Sequence, residues 1–239
     1  MITKYAVTII TCGIAIFAGI ILGNGAVWFF NKIPGKWLCD YGKEPDEELL
    51  HPTCQRIKST PWKYWFSCFF ILAAVKLGLE DPIYAIIALI ACWLLTEMAI
   101  ADIKYMIVPD QLIILLMVSA VGFVPHHKGG ALEGIWGGLL GFGIMLIIGI
   151  LGKLIYKRDS LGGGDIKLFG ALGLCLGVNG ILAAFVLSTF ISAGHLAYLT
   201  VKKRVKPREE RPLVPYIAIS AVIYLVILHE MSYNIMVYL

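Results

Sequence analysis

The amino-acid sequence is a succession of long apolar runs, and this pattern constrains the fold more than any other feature. Hydrophobic residues occupy 59% of the 239 positions, and charged residues occupy 15%. A soluble domain has about 45–50% apolar and about 25% charged residues. A chain of this composition belongs in a lipid bilayer, where backbone polar groups are satisfied inside helices. The sequence therefore predicts an all-α, polytopic integral membrane protein.

Eight apolar segments account for most of the chain. A helix needs about 20 apolar residues to cross the bilayer core, with a range of about 17–25. The segments are residues 5–30, 62–77, 82–101, 109–124, 132–156, 166–178, 181–201 and 213–237. The sixth segment, 166–178, is short for a crossing helix, so we expect it to lie within protein or to begin below the membrane surface. The sequence thus predicts about eight transmembrane helices.

Basic residues mark one side of this bundle. Of the 20 Lys and Arg residues, 17 lie in or beside one alternate set of connections, and only Lys4, Lys76 and Lys128 lie on the other side. Because cytoplasmic loops carry the excess of Lys and Arg, the basic side is predicted to be cytoplasmic and both termini to lie outside. In a soluble protein a net charge of +4 would weakly suggest nucleic acid. In a membrane protein the distribution of the basic residues is more informative than their sum, and here it indicates topology, so we expect no nucleic-acid partner.

Three parts follow along the chain. Residues 1–30 form the first transmembrane helix, residues 31–61 a cytoplasmic loop or small subdomain, and residues 62–239 a membrane core. Lys32, Lys36 and Lys43 follow the first apolar run, whereas a single Lys precedes it. A signal peptide has its positive charge before the apolar run. We therefore interpret residues 1–30 as a retained membrane span.

Four acidic residues in or beside the apolar segments are candidates for function: Glu97, Asp102, Asp110 and Asp165. Ionisable groups at membrane depth are costly and point to function. Asp102 ends the third segment and Asp165 precedes the sixth, so the charge pattern places both at the cytoplasmic face. Two such carboxyl groups, one ionised and one protonated, can activate water and polarise a peptide carbonyl. We expect Asp165 to act as the base, because a helix N-terminus favours negative charge.

Three glycines, Gly162, Gly163 and Gly164, precede Asp165. Glycine lets the backbone turn and lets another chain approach closely. The same pattern is typical of a helix N-cap, because Asp accepts hydrogen bonds from the amides of a first turn. The local pattern leaves two interpretations of Asp165 open, as a helix cap or as half of a catalytic pair.

Two motifs make the sequence resemble the type IV prepilin peptidases, the bacterial branch of the GxGD aspartyl proteases. The motifs are "ADIKYMIVPD" at residues 101–110 and "GGGDIKLFGALG" at residues 162–173. "GNGAVWFFNKIP" at 23–34 is similar to the family's exit from the first span, and "RPLVPYIAIS" at 211–220 to its last-span start. The resemblance puts the family's catalytic aspartates at Asp102 and Asp165.

The resemblance implies a function at the bacterial cytoplasmic membrane. Members of the family cut the basic leader from type IV prepilins and pseudopilins, after a Gly at the cytoplasmic face. Many then methylate the new N-terminal amine with S-adenosylmethionine. The implied partners are these substrates and the lipid bilayer. The peptidase step needs no cofactor, and the sequence leaves open the substrate, the retention of methylation and the oligomeric state.

The first cytoplasmic loop departs from the family pattern. Many members carry two Cys-x-x-Cys pairs there, whereas this chain has only Cys39 and Cys54. A structural zinc ion takes four ligands. His51 and Cys54 have suitable spacing, but they complete no such set. We therefore expect no metal, with free thiols in a reducing cytoplasm.

Other polar residues have two interpretations each. Glu97 is predicted to bond a neighbouring span or to reach the membrane surface, or else to hold the methyl donor or the substrate amine. Lys104 and Lys167 either mark topology or tune the two carboxylates. Asp110 is predicted to cap the fourth span, with a supporting role as the alternative.

Histidines and glycines complete the set of candidates. His126 and His127 are predicted to be solvated in an outside loop, and His195 to be a bonded core residue. The fifth segment contains small-xxx-small glycine pairs, which allow close helix packing inside the protein or between protomers.

A proton- or ion-coupled transporter is the competing class. It would use the same acids near the bilayer midplane, often within an internal repeat. The sequence shows no convincing repeat, and the aspartates are placed near the membrane face. These two features favour the peptidase interpretation.

Overall fold

The computed structural model describes residues 2–39, 45, 49, 55–157, 161–202 and 211–229. Within these ranges the regular structure is helical, which confirms the all-α prediction. The helices are α1 (Ile2–Lys32), α2 (Ser59–Glu80), α3 (Pro82–Tyr105), α4 (Asp110–Phe123), α5 (Ala131–Tyr156), α6 (Gly163–Val201) and α7 (Val214–Ile223). Short 3₁₀ turns lie at Gly35–Leu38 and Val124–His126, and a π-helical turn, Tyr224–Leu228, continues α7.

Five of these helices are long and apolar enough to cross a membrane. They are α1, α2, α3, α5 and α6, whereas α4 and α7 with its π-helical turn are shorter apolar helices. Many of their large apolar side chains are exposed. Such exposure is unusual on a water-soluble monomer and is expected of helices that face lipid.

Helix α6 contains two of the predicted spans. Its 39 residues are interrupted at Gly177, where φ is 69° and ψ is −175°, a conformation that glycine adopts without a side-chain penalty. Gly141 of α5 lies against both Phe169 and Ile181. Since these two residues flank Gly177, the arms 163–176 and 178–201 fold back beside each other. The predicted reversal at 179–180 is therefore present, slightly earlier in the chain.

The chain forms two compact units, Met1–Glu97 and Met98–Leu239. In the first unit, α1 and α2 approach closely at Gly19 and Gly23. A Cβ atom on Gly23 would lie 2.3 Å from the amide nitrogen of Ser67. The two glycines, four positions apart, therefore form the small-residue face that membrane helices use for close packing.

The segment before α2 is joined to the C-terminal end of α1. The Asn31 side chain donates to the Ile57 carbonyl at 3.1 Å and accepts from the Ile57 amide at 2.9 Å. The buried Arg56 guanidinium donates to the carbonyls of Phe30 and Ile33. Carbonyls at a helix C-terminus lack intrahelical partners, so the cation stabilises the end of α1.

In the second unit, glycines hold α5 against α6. A Cβ atom on Gly173 would lie 2.1 Å from the Gly137 carbonyl oxygen, and one on Gly134 would lie 2.8 Å from the Leu174 carbonyl oxygen. The glycine pairs of the fifth segment therefore pack inside the chain. This contact fixes the first arm of α6, whose N-terminal end carries Asp165.

We expect Gly173→Ala to lower the thermal unfolding midpoint of the detergent-solubilised protein. The added methyl group would meet backbone of α5, and overpacking of this kind costs about 1–3 kcal/mol. Gly143→Ala is the matched control, because a Cβ atom there meets nothing within 4 Å. Equal midpoints for the two variants, followed by circular dichroism, would contradict this packing.

Candidate functional site

Asp102 lies in the last turn of α3, and its side chain is 6% exposed. The helix ends at Tyr105, and the next residue, Met106, has a left-handed φ of 55°. The Met106 amide still donates to the Asp102 carbonyl at 2.9 Å. A left-handed residue after the last turn is a common way to end a helix. It turns the chain toward Val108 and Pro109, which lead into α4.

The Asp102 carboxylate is held by the start of α7. The Val214 amide donates to its Oδ2 atom at 2.9 Å, and the Leu213 amide adds a second backbone hydrogen bond. Helix α7 has no side-chain cap of its own, and Pro215 in its first turn has no N–H group. The free amides of a helix start need acceptors. Asp102 supplies one from another helix.

Sequence reasoning missed Leu213 and Val214. The sequence "RPLVPY" predicts only the start of the last span. A backbone amide is present at almost every residue, so no residue type marks these two. One signal was available: Leu213 stands at the N-cap of α7, where Ser, Thr, Asp or Asn is normally preferred. An apolar N-cap at a buried helix start indicates that the cap comes from elsewhere.

Asp165 lies in the first turn of α6, one helical turn from the N-cap Gly162. The Asp165 amide donates to the Gly162 carbonyl at 3.1 Å, and the Gly162 backbone hydrogen-bonds to the Asp165 carboxylate. This is the backward half of a capping box. Asp165 therefore caps the start of α6 through its side chain, but it does so from the third helical position. The N-cap residue itself is Gly162. The side chain remains half-exposed.

Asp102 and Asp165 both lie in the second unit and are the candidates for one site. The two carboxyl groups interact electrostatically, although 63 positions separate them in the sequence. Each also accepts hydrogen bonds from backbone at a helix start, Asp165 from its own helix and Asp102 from α7. Helix N-termini stabilise negative charge. Neighbouring carboxyl groups in such a setting can share a proton, as acid–base hydrolysis requires.

The three glycines before Asp165 have different surroundings. A Cβ atom on Gly162 would lie 3.3 Å from Asp165 Oδ2, and one on Gly164 would lie 2.9 Å from the Val108 Cβ atom. Gly163 is exposed, and a Cβ atom there would meet nothing within 4 Å. None of these three glycines has a positive φ, so the backbone conformation does not explain why glycine occurs here. Gly164 provides close approach to the segment after Asp102, and Gly163 faces open space at the start of α6.

Two of the auxiliary candidates form an ion pair. Lys167 Nζ lies 2.9 Å from each carboxylate oxygen of Asp110. Asp110 is the first residue of α4, which is the position predicted for a capping acid. Its carboxylate, however, forms a salt bridge with Lys167. The pair joins α4 to the first turn of α6. Lys104 is exposed in the last turn of α3, and its role stays a prediction.

Glu97 is fully buried in α3, with 0% exposure. Neither carboxylate oxygen has a hydrogen-bond partner among the described residues. The side chain is therefore buried rather than extended to a surface, and the described residues offer no bond from a neighbouring span. An unpartnered buried carboxyl group is destabilising. Its proposed functional role stays a prediction.

The candidate metal ligands lie in the first connection. Cys39 is half-buried, and its thiol lies 3.4 Å from the Lys36 carbonyl oxygen. His51 and Cys54 lie outside the described residues. Within the described ranges, no three His, Cys, Asp or Glu side chains form a group that could hold a metal ion.

The histidine predictions are partly wrong. His127 is half-buried rather than solvated, and its Nε2 atom lies 3.0 Å from the Cys175 carbonyl oxygen. The break at Gly177 explains this contact, because carbonyls before a helix break lack their usual partners. His126 is also half-buried. His195 is hydrogen-bonded as predicted, to the Tyr216 hydroxyl, but its side chain is exposed rather than in the core.

These features indicate an integral membrane protein that carries one aspartate in the last turn of α3 and another in the first turn of α6. Residues 88–197, which contain both aspartates, match the model of the Type IV leader peptidase family. The family resemblance predicted from the two motifs is thereby confirmed, and the matched segment belongs to this family of proteases. No solved structure gives a significant match to the chain.

Curated relatives carry the same description. The chain is 28% identical over 158 residues to the "Prepilin leader peptidase/N-methyltransferase" of Bacillus subtilis, covering 66% of this chain and 61% of the relative. It is 30% identical over 161 residues to the protein of that name in Vibrio cholerae, covering 67% of this chain and 58% of the relative. The chain thus spans less than two thirds of the length of these relatives.

We expect Glu97→Met to raise the thermal unfolding midpoint of the purified protein. The substitution removes an unpartnered buried carboxyl group while nearly keeping the side-chain volume, and burial of a polar group without a hydrogen bond costs about 1–3 kcal/mol. Glu97→Gln is the control, since it keeps a polar group that also needs partners. A lower midpoint for Glu97→Met than for the wild type would show that the carboxyl group is satisfied after all.

Proposed function

We propose that this protein is a membrane aspartic endopeptidase that cuts the basic leader from type IV prepilins or pseudopilins, after a Gly. The observation that carries the proposal is that the Asp102 and Asp165 carboxyl groups lie near enough for the charge of one to act on the other. The family match to the segment that contains them supports the same reaction. The chemistry is acid–base hydrolysis by this pair, without a side-chain nucleophile.

The reaction begins with water bound between the two carboxyl groups. One carboxylate takes a proton from the water as its oxygen attacks the glycyl carbonyl carbon, and the other carboxyl group gives its proton to the carbonyl oxygen. Collapse of the tetrahedral intermediate breaks the C–N bond, and the leaving amine receives a proton from the pair. The backbone bonds from Val214 and Gly162 hold the two carboxylates throughout.

A substrate backbone has room at the start of α6, close in sequence to Asp165. Gly163 is exposed and faces open space, and it lies two residues before the carboxylate. Gly164, in contrast, is occupied by its contact with Val108. We therefore place the extended scissile segment of the substrate across Gly163. The substrate's apolar helix would continue into the lipid from there.

The proposed topology has eight crossings, with both termini outside and the site at the cytoplasmic face of the bacterial cytoplasmic membrane. Of the 20 Lys and Arg residues, 17 lie in or beside the connections on the side proposed to carry Asp102 and Asp165. This excess supports a cytoplasmic site. The two arms of α6 supply two of the crossings, because the chain reverses at Gly177. A basic leader would then remain in the cytoplasm while the substrate helix enters the bilayer.

Methyl transfer to the new N-terminal amine is the second proposed activity, with S-adenosylmethionine as donor. Its support is the name of the relatives, which includes N-methyltransferase. Glu97, as a buried carboxyl group without a described partner, is the residue we propose for a cationic donor or amine. The first loop has only Cys39 and Cys54 in place of two Cys-x-x-Cys pairs. We therefore propose that the methyl transfer does not depend on a zinc ion in this loop.

We expect Asp102→Asn and Asp165→Asn each to abolish cleavage of a reconstituted prepilin. Removing one member of an acid–base pair removes most of the catalysis, because the two groups act as a unit. Mass analysis of the product N-terminus reports the cleavage site and any added methyl group together. Cleavage at the wild-type rate by either single variant would contradict the paired mechanism. Asp81→Asn, at the start of α3, is the control for charge loss.

We expect Gly164→Ala to reduce kcat strongly, and Gly163→Ala to raise KM with kcat unchanged, because its methyl group enters the space proposed for the substrate. A Cβ atom on Gly164 would push against Val108 and shift the turn that carries Asp165. A misplacement of about 1 Å can cost about 100-fold in rate. Turnover and KM are measured for both variants on one prepilin. The assignment of Gly164 is contradicted if its variant matches the wild type.

A further inference from the structure

A side-chain hydrogen bond links the second arm of α6 to the start of α7. His195 Nδ1 and the Tyr216 hydroxyl are hydrogen-bonded, and their rings lie 5.7 Å apart. His195 is exposed and Tyr216 is half-buried. Neither side chain contacts a candidate carboxylate directly. The bond therefore needs a different explanation from the proposed chemistry.

Tyr216 belongs to the same helical turn that holds Asp102. Its amide donates to the Leu213 carbonyl at 3.1 Å. The amides of Leu213 and Val214 in turn hydrogen-bond to the Asp102 carboxylate. A short path of hydrogen bonds and backbone therefore runs from His195 to Asp102, all within the second compact unit.

This turn has weak internal support. Its N-cap residue Leu213 offers no side-chain acceptor, and Pro215 lacks an N–H group. First-turn amides depend on external partners. A bond from α6 to the Tyr216 side chain holds the turn from outside. It thereby limits the directions in which the Leu213 and Val214 amides can point.

We propose that His195 and Tyr216 are positioning residues for the peptidase reaction. Their hydrogen bond fixes the first turn of α7, and that turn holds the Asp102 carboxylate in register with Asp165. The inference rests on the proposed function and adds two residues to it. The two arms of α6 then serve one site: the first arm carries Asp165, and the second arm sets the helix that holds Asp102.

The expected effect is on turnover rather than on substrate binding. Loss of the bond leaves both carboxyl groups present but lets the Asp102 acceptor move relative to its donors. Small displacements of a catalytic group reduce the rate steeply, by about 100-fold for about 1 Å. We expect a smaller displacement here, with turnover reduced about tenfold and KM unchanged. A variant that lowers kcat alone has lost transition-state stabilisation.

The test compares Tyr216→Phe, His195→Ala and the double variant in prepilin cleavage. We expect each single variant to lower kcat about tenfold, and the double variant to be no worse, because residues in one hydrogen bond are not additive. His195→Asn, which can place an amide near the Nδ1 position, should restore part of the rate. Tyr198→Phe is the matched control, since Tyr198 is exposed on the same arm.

A second measurement is independent of cleavage. Hydrogen exchange at the amides of Leu213 and Val214 should be faster in Tyr216→Phe than in the wild type and in Tyr198→Phe. Unchanged exchange together with wild-type kcat would overturn the inference. A wild-type protein that cleaves no prepilin would instead refute the proposed function, whatever the exchange rates. Additive losses in the double variant would also overturn the shared role.

Discussion

The hydrogen bond from the Val214 amide to Asp102 is the interaction on which the site depends. It joins residues 112 positions apart and is buried. A buried carboxylate without hydrogen bonds is strongly destabilising, and a buried helix start without acceptors is unsatisfied in the same way. The Asp102 carboxylate therefore supplies the acceptor that the start of α7 needs, and the Val214 amide supplies a donor that the carboxylate needs. The end of α3 and the start of α7 must meet for either to be stable.

Helix α6 then brings the second carboxylate to this junction. Its first arm is held against α5 by glycines so closely that backbone meets backbone at Gly137 and Gly173. Its start is held by the contact of Gly164 with Val108 and by the ion pair of Lys167 with Asp110. All of these contacts lie within the second unit. The position of Asp165 thus follows from apolar packing along the helix and from polar contacts at its end.

The reversal at Gly177 makes one helix contribute twice. The first arm carries Asp165, and the second arm returns to carry His195 to the start of α7. His127 satisfies the carbonyl of Cys175 just before the break. A single glycine in a left-handed conformation therefore connects the packing of the bundle with the arrangement of the site at its end.

Much of this arrangement could be predicted from the sequence, for identifiable reasons. Apolar runs identify membrane helices because the bilayer sets their length, and acids at their ends identify Asp102 and Asp165 because charge there needs a reason. The amides of Leu213 and Val214 could not be found in this way, since backbone groups have no sequence signature. The partner of Lys167 was also hidden, because it lies on a different helix. The burial of Glu97 without a described partner was not predictable, because the sequence pattern favours either a bond to a neighbouring span or a reach to the membrane surface.

Thiol cross-linking at the two aspartate positions tests the proximity of the carboxyl groups most directly. Asp102→Cys and Asp165→Cys would be combined in a chain whose six natural cysteines are replaced, and treated in membranes with a short bifunctional thiol reagent. We expect an efficient intramolecular cross-link, because these two side chains interact across the site. Asp110→Cys with Lys167→Cys is the positive control, since these two side chains form an ion pair. Failure of the first pair to cross-link, under conditions where the control pair does, would contradict the paired site.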